Sequence, residues 1–263
     1  MKNILLPLIL FTLFSCVDHM EAGNESFEDE NFEDALEHYE HVYEYNRDDW
    51  QAMHNIARCY EELGEYKKAR EWYSSAINKN LKPDEQSFLG RARCYWEEED
   101  YESAILDFTA VLNLNEKSFD GYYLRGKSYM KTGEYGKAYW DLVEAVQLDM
   151  NDIYARYHLA IVNGQFGSLN SATRDLTRII KEKPDFARAY YNRGILAQRQ
   201  GRVRAAIKDF TEAIDRGVEL ADVYARRAEM QLELGNNKKV CQDLKKAMEL
   251  DDNFESVYRE YCK

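Results

Sequence analysis

Two histidines and two glutamates near the N-terminus form the only group in the sequence that resembles a metal site. His38 and His41 are spaced to share one helical face, with Glu37 and Glu44 beside them. The order is not the His-Glu-x-x-His of zinc hydrolases and no third ligand is obvious, so a solvent-facing acidic helix accounts for the group. The sequence also lacks a glycine-rich phosphate loop, a nucleophile elbow and a catalytic triad. We therefore expect no metal, no cofactor, no small-molecule substrate and no enzymatic activity.

The first sixteen residues carry the chemistry of export and lipid attachment. The uncharged run from Ile4 to Phe14 has the length of a signal-peptide core and is short for a membrane span. It ends in Leu-Phe-Ser-Cys at 13–16, which resembles the lipobox of bacterial lipoproteins. The resemblance implies removal of residues 1–15 and a diacylglycerol on the Cys16 thiol; an ordinary signal peptide is the alternative. It further implies a protein lipid-anchored in the cell envelope, at the outer membrane, facing the periplasm or the exterior.

The negative charge of the chain is concentrated just after this cysteine. The formal net charge is −13, and residues 17–49 hold 13 acidic residues against one base, Arg47. Anionic headgroups repel such a segment, which should hold the rest of the chain off the membrane surface. The sequence has no basic stripe of the kind that nucleic acids require. We therefore expect a membrane contact through the lipid alone, and no nucleic-acid partner.

Small residues recur along the rest of the chain with a period of about 34 residues. Ala35, Ala69, Ala104, Ala138, Ala172 and Ala206 are separated by 34, 35, 34, 34 and 34 residues, and Val240 follows 34 later. A larger residue follows each of them after four positions, and a valine, alanine or isoleucine follows after seven, which places all three on one helical face. A second helix of each unit repeats in the same way, and Gly64, Gly133, Gly167, Gly201 and Gly235 mark the turns between the two helices.

This pattern is similar to that of the tetratricopeptide repeat family, in which each 34-residue unit is a helical hairpin. The resemblance implies an all-α fold, a right-handed α-solenoid of about seven hairpins with a C-terminal capping helix. Residues 16–49 would hold the anchor cysteine, the acidic leader and a first, degenerate repeat. Six repeats would follow at 50–84, 85–118, 119–152, 153–186, 187–220 and 221–254, and residues 255–263 would form the capping helix.

Arginines in the first helix of several units are followed by an aspartate 16 residues later. The pairs are Arg91 with Asp107, Arg125 with Asp141, Arg193 with Asp209, and Arg227 with Asp243. Pairing within units leaves only Asp175 without a partner, because its unit has Leu159 in place of arginine. We therefore predict structural ion pairs across each hairpin, and a charged ligand-binding row is the alternative.

Cys241 and Cys262 fall in the last full second helix and in the capping helix. A disulfide between them would fasten an end that otherwise frays, in an oxidising compartment. Two buried thiols are the alternative. In contrast, Cys59 and Cys94 occupy equivalent sites in adjacent units, too far apart to be bridged, and are expected to be buried small residues.

Each first helix has a second row of residues on its surface, which begins one residue after the large core residue. We expect this row to form the binding surface. In the tetratricopeptide family this row lines a concave groove that receives peptides or partner helices. Here the groove residues are Leu89, Arg93, Trp96, Tyr123, Lys127, Met130, Tyr157, Ile161, Tyr191 and Ile195. Exposed surfaces rarely carry such residues at matching positions unless a partner covers them, although tyrosine at this site also packs against the next unit. A clamp for a C-terminal carboxylate is not expected, because this row departs from the lysine and asparagine pattern of the chaperone-binding members.

These observations predict a non-catalytic interaction scaffold, lipid-anchored in the membrane, that binds a protein or peptide partner in its concave groove. The alternative is a structural or assembly subunit of an envelope complex that uses its convex face. A hydrolase would need a catalytic group that the sequence does not contain.

Overall fold

The computed structural model describes residues 18–82 and 84–262, and within these ranges it contains helices and no strands. The predicted signal peptide and Cys16 lie outside the described residues. Residues 18–28 form α1, and the following helices are α2 Phe32–Tyr45, α3 Trp50–Glu62, α4 Tyr66–Lys79, α5 Glu85–Glu97, α6 Tyr101–Leu114, α7 Phe119–Lys131 and α8 Tyr135–Leu148. Then come α9 Ile153–Gln165, α10 Leu169–Glu182, α11 Ala187–Arg199, α12 Val203–Asp215, α13 Ala221–Glu233, α14 Asn237–Leu250, a 3₁₀ turn Asp252–Phe254, and α15 Glu255–Tyr261. The predicted all-α fold is confirmed.

The chain divides into two compact units, which we call unit 1 and unit 2. Unit 1 ends at Leu148, and unit 2 begins at Asp149. Within each unit consecutive helices pack as antiparallel pairs, α3 with α4, α5 with α6 and α7 with α8 in unit 1, and α9 with α10, α11 with α12 and α13 with α14 in unit 2. The first helices of neighbouring pairs also contact one another, α3 with α5 and α5 with α7 in unit 1, and α9 with α11 in unit 2. We call the surface that these helices line the first-helix face of each unit.

Four of the first helices begin at regularly spaced capping residues. The side chains of Asp49, Asp84, Ser118 and Asp152 accept hydrogen bonds from the free backbone N–H groups of α3, α5, α7 and α9. Such caps satisfy donors that a helix leaves unpaired at its start. The period seen in the apolar residues is therefore also present in these four caps, whereas the residues before α11 and α13, Phe186 and Leu220, provide no side-chain cap.

The turn inside each hairpin requires a left-handed backbone conformation. Glycine supplies it at five turns, with φ between 67° and 81°: Gly64, Gly133, Gly167, Gly201 and Gly235. The equivalent turn between α5 and α6 uses Glu99 (φ 62°), and the turn between α1 and α2 uses Glu30 (φ 59°). A side chain strains this conformation, so these two turns are formed at a cost that the glycine turns avoid.

The cores of the units are built from the small and large residues of the repeat. Ala104, Phe108 and Val111 on α6 are fully buried against α5, and Ala172, Leu176 and Ile179 on α10 are fully buried in unit 2. A close approach occurs at Gly90, where an added Cβ would lie 2.3 Å from Cζ of Tyr73. Only glycine fits at that contact, which brings α4 against α5.

The C-terminal helix α15 caps the last hairpin. Val257 and Tyr258 pack against the buried residues Ala228, Val240 and Leu244 of α13 and α14. The predicted capping helix is thereby confirmed. None of the helices in the described part of the chain has the length and apolar character needed to cross a membrane.

Candidate protein-binding surface

The four arginine–aspartate pairs lie inside the hairpins. Arg91 donates from Nε to Oδ2 of Asp107 (2.7 Å) and from Nη2 to Oδ1 (2.8 Å). The same two-bond geometry joins Arg125 with Asp141, Arg193 with Asp209, and Arg227 with Asp243. The hydrogen bond with Asp107 raises the pKa of the Arg91 guanidinium. Because the carboxylates are almost fully buried, these pairs stabilise the hairpins and are not available to a ligand.

Each of these arginines has a second partner that was not predicted from the sequence, a hydroxyl group of the preceding hairpin. The bonds run from Nη1 of Arg91 to Ser74 (2.9 Å), Arg125 to Thr109 (3.1 Å), Arg193 to Thr177 (3.2 Å) and Arg227 to Thr211 (3.1 Å). The signal was present as Asp-x-Thr at 107–109, 175–177 and 209–211. Where the next unit carries Leu159 instead of arginine, the threonine position is occupied by Val143. The hydroxyl-bearing residue is therefore present where the next unit has the arginine, and absent where it has Leu159.

The cysteines of the described region fall into two groups. Cys241 and Cys262 form a disulfide, with their Cα atoms 5.4 Å apart, which fastens α15 to α14. Cys59 and Cys94 are free and buried. Burial raises the pKa of both thiols to about 12, so neither is a reactive thiolate near neutral pH.

The histidine group near the N-terminus includes a third member. Nδ1 of His19 on α1 lies 3.0 Å from Nδ1 of His38, and the His19 and His41 ring centroids are 4.9 Å apart. Nε2 of His41 is 4.0 Å from Glu37. Among the described residues, no group of three or more histidine, cysteine or acidic side chains has the arrangement to hold a metal ion.

Two of the predicted groove residues are part of the core. Leu89 is 4% exposed and packs among Ala92, Ala104 and Phe108. Tyr157 is 6% exposed, and its hydroxyl accepts a hydrogen bond from Nδ2 of Asn192 (2.7 Å) on the next first helix. The expectation that these two side chains line an open surface is corrected, because neighbouring residues of the same unit cover them.

Aromatic and basic side chains occupy the first-helix face of unit 1. Trp96 on α5 is half-buried, and its ring packs edge-on against Tyr101. On α7, Tyr123 stacks on Phe119 with ring centroids 5.6 Å apart. Met130 is half-buried on the same helix. We call Trp96, Tyr123, Lys127, Met130 and Lys131 the unit 1 patch.

Arg93 is exposed and belongs to a polar network beside this patch. Its Nε donates to Oε1 of Glu61 (2.6 Å), and Oε2 of Glu61 accepts from the Tyr73 hydroxyl (2.6 Å). Together with His54, Arg58 and Gln86 these residues line a polar cleft of about 300 Å³ on the first-helix face. Burial lowers the pKa of His54, whose Nδ1 lies 2.8 Å from Oγ of Ser87, so the cleft holds a neutral imidazole near pH 7.

The first-helix face of unit 2 is held by bonds between neighbouring helices. The Tyr191 hydroxyl donates to Asp222, which also accepts from Nε of Arg226 (2.6 Å). Burial, followed by the bond to Asp222, raises the pKa of Tyr191 to about 12. Ile161 and Ile195 are half-buried and pack against the core. The aromatic and apolar residues of this part of the row are therefore held by contacts within unit 2.

An apolar cleft of about 340 Å³ lies at the C-terminal end of unit 2. Its lining includes Leu232 of α13, Leu244 of α14, and Val257 and Tyr261 of α15. The Cys241–Cys262 bond holds α15, and with it one wall of this cleft, in place.

Comparisons with known proteins agree with the repeat and the fold. Tetratricopeptide repeat models match residues 26–92 and, separately, residues 89–153, 157–217 and 191–239. The chain belongs to the tetratricopeptide repeat family. No protein in the curated set matches it.

Solved structures of low sequence identity share the fold. A tetratricopeptide repeat protein from Parabacteroides merdae is 20% identical, with a TM-score of 0.72 over 95% of this chain and 99% of its own. The C-terminal part of a repeat protein from Cytophaga hutchinsonii is 16% identical, with a TM-score of 0.69 over 93% and 99%. YrrB, described as having an unusual peptide-binding site, is 23% identical, with a TM-score of 0.60 over 68% and 92%. The tetratricopeptide fold supports a role as a protein–protein interaction scaffold.

Proposed function

We propose that this chain is a lipid-anchored scaffold of the cell envelope that binds a segment of a partner protein on the first-helix face of unit 1. The observation that carries the proposal is the unit 1 patch, where the half-buried Trp96, Tyr123 and Met130 lie on two adjacent first helices. Aromatic and methionine side chains are enriched at the centres of protein interfaces. YrrB, which shares the fold, offers a precedent for peptide binding.

The proposed anchor is Cys16, at the outer membrane and facing the periplasm or the exterior. Two features support this part of the proposal: the lipobox-like residues 13–16, and the 13 acidic residues that follow within 17–49. The Cys241–Cys262 disulfide is also of a kind that persists outside the cytoplasm. The partner would then be another envelope or extracellular protein.

A second candidate is a structural role that uses the opposite, second-helix face. It is favoured by Leu106 and Trp140, which occupy equivalent positions of α6 and α8 and are 71% and 67% exposed. Large apolar side chains with this exposure mark interaction sites when they recur at matching positions. The two candidates predict different effects of substitution.

Crosslinking pull-downs from the native host separate them. We expect Trp96→Ala/Tyr123→Ala to lose the most abundant partner, and the matched variant Leu106→Ala/Trp140→Ala to keep it. The reverse result would favour the structural role. Circular dichroism must show both variants folded.

In the same strains, an alkyne-tagged fatty acid should label the wild type and not Cys16→Ser. Labelling of Cys16→Ser would disprove the proposed anchor.

A further inference from the structure

Two lysines of the unit 1 patch are held over aromatic rings. Nζ of Lys127 lies 4.6 Å from the ring centroid of Trp96 and 5.3 Å from that of Tyr123. Nζ of Lys131 lies 5.8 Å from the Trp96 centroid and 5.7 Å from that of Tyr101. Cation–π contacts of this kind fix the position of an ammonium group without neutralising it. The two charges are thus placed side by side on one surface.

Neither lysine has a carboxylate in ion-pair distance within the part of the chain that the structure describes. Nearby cations differ in this respect, since Arg93 pairs with Glu61 and Lys137 with Glu134. Burial lowers the pKa of Lys127 more than the neighbouring Glu97 raises it, and the charge of Lys131 lowers it further. Lys127 is thus a partly desolvated ammonium group that forms no ion pair with a described residue, and an incoming anion would stabilise it.

The spacing of the lysines specifies the arrangement of that anion. Lys127 and Lys131 are four residues apart on α7, so their side chains start about 5–6 Å apart on the helix surface. In an extended segment, residues two positions apart point to the same side and lie about 6.6 Å apart. Two acidic residues separated by one other residue therefore match the lysine pair.

We propose that the unit 1 patch binds an extended acidic segment of a partner protein, with alternate carboxylates on Lys127 and Lys131. This inference rests on the proposed function and names the chemistry of its partner. Nucleic acid is disfavoured because it needs a longer basic stripe than two lysines provide, and an anionic membrane is disfavoured by the acidic segment 17–49. A short extended segment with two acidic residues needs only the two lysines of the patch.

Fluorescence anisotropy with labelled peptides and the purified full chain tests the proposal. The probe is a glycine- and serine-rich peptide with a central Glu-Val-Glu, and its control carries Gln-Val-Gln. We expect the glutamine peptide to bind at least about tenfold more weakly than the glutamate peptide. Lys127→Ala/Lys131→Ala should reduce binding of the glutamate peptide by a similar factor. Lys238→Ala/Lys239→Ala removes the same charge from an exposed site on α14 and should leave binding unchanged. Binding should weaken as salt concentration rises.

A charge reversal guards against an effect of misfolding. Lys127→Glu/Lys131→Glu should lose the glutamate peptide and acquire affinity for a Lys-Val-Lys peptide. Equal binding of the glutamate and glutamine peptides, or equal binding by the lysine variant and its control, would show the proposal to be wrong. The chain could instead self-associate, fail to bind the peptide, and lose its self-association in Lys127→Ala/Lys131→Ala. That result would assign the patch to a second copy of the chain and would also overturn the proposal. The two proposals can also fail separately. If Trp96→Ala/Tyr123→Ala loses the partner in the host but the chain binds the peptides without preference for charge, the proposed function stands and only this inference is disproved.

Discussion

At the scale of single residues, each of the four partly buried arginines binds two groups at once. Each binds both carboxylate oxygens of an aspartate in its own hairpin and one hydroxyl of the hairpin before it. A planar guanidinium with donors on two sides is suited to this, whereas lysine could not form the paired bonds. The arginine therefore stabilises both the hairpin and its contact with the preceding one.

Loss of one of these carboxylates should be costly. We predict that Asp209→Ala lowers the free energy of unfolding by about 3 kcal/mol, because it leaves the Arg193 charge in a mostly buried site without its partner. Asp175→Ala is the matched control, since Asp175 stands at the equivalent position but lies 4.0 Å from its nearest cation, the exposed Arg178. Urea denaturation followed by circular dichroism measures both. Equal losses in the two variants would contradict the role assigned to the pair.

At the scale of helices, the sequence predicts most of the arrangement. The period of about 34 residues fixes the hairpins, and the capping residues and turn glycines repeat with it. The burial of Leu89 and Tyr157 could not be predicted in this way. Their row lies about 100° around the helix from the core row, at the border of the buried face. The side chains that cover it come from neighbouring helices. Asn192, which binds the Tyr157 hydroxyl, is 35 residues away.

The turns provide a prediction at this scale. Glu99 holds the left-handed conformation between α5 and α6, where the equivalent turns have glycine. We expect Glu99→Gly to stabilise the chain by about 0.5–1 kcal/mol, because removal of the strain exceeds the added freedom of the unfolded chain. Gly133→Ala is the converse variant; an added Cβ there meets no atom within 4 Å, so only backbone strain should destabilise it, by about 1 kcal/mol. Thermal unfolding of both variants checks the signs, and a destabilised Glu99→Gly would refute this account.

At the scale of the whole molecule, charge and chemistry are distributed unevenly along the chain. Residues 17–49 are strongly acidic, and the patch with unpaired lysines lies on α5 and α7 of unit 1. The disulfide lies at the other end, in unit 2. The sequence pointed to the first-helix row as the binding surface, but which of its members remain accessible depends on packing. The structure shows this difference in the burial of the side chains: Trp96 and Tyr123 are half-buried, whereas Leu89 and Tyr157 are buried.

The most direct test of the central claim is photo-crosslinking in the native host. A photoreactive phenylalanine would replace Tyr123 on the first-helix face of unit 1 or, as the matched aromatic control, Trp140 on the second-helix face. We predict that the probe at residue 123 yields a specific adduct with one partner protein, and that the probe at residue 140 does not. An adduct from residue 140 alone, or none from residue 123, would contradict the account.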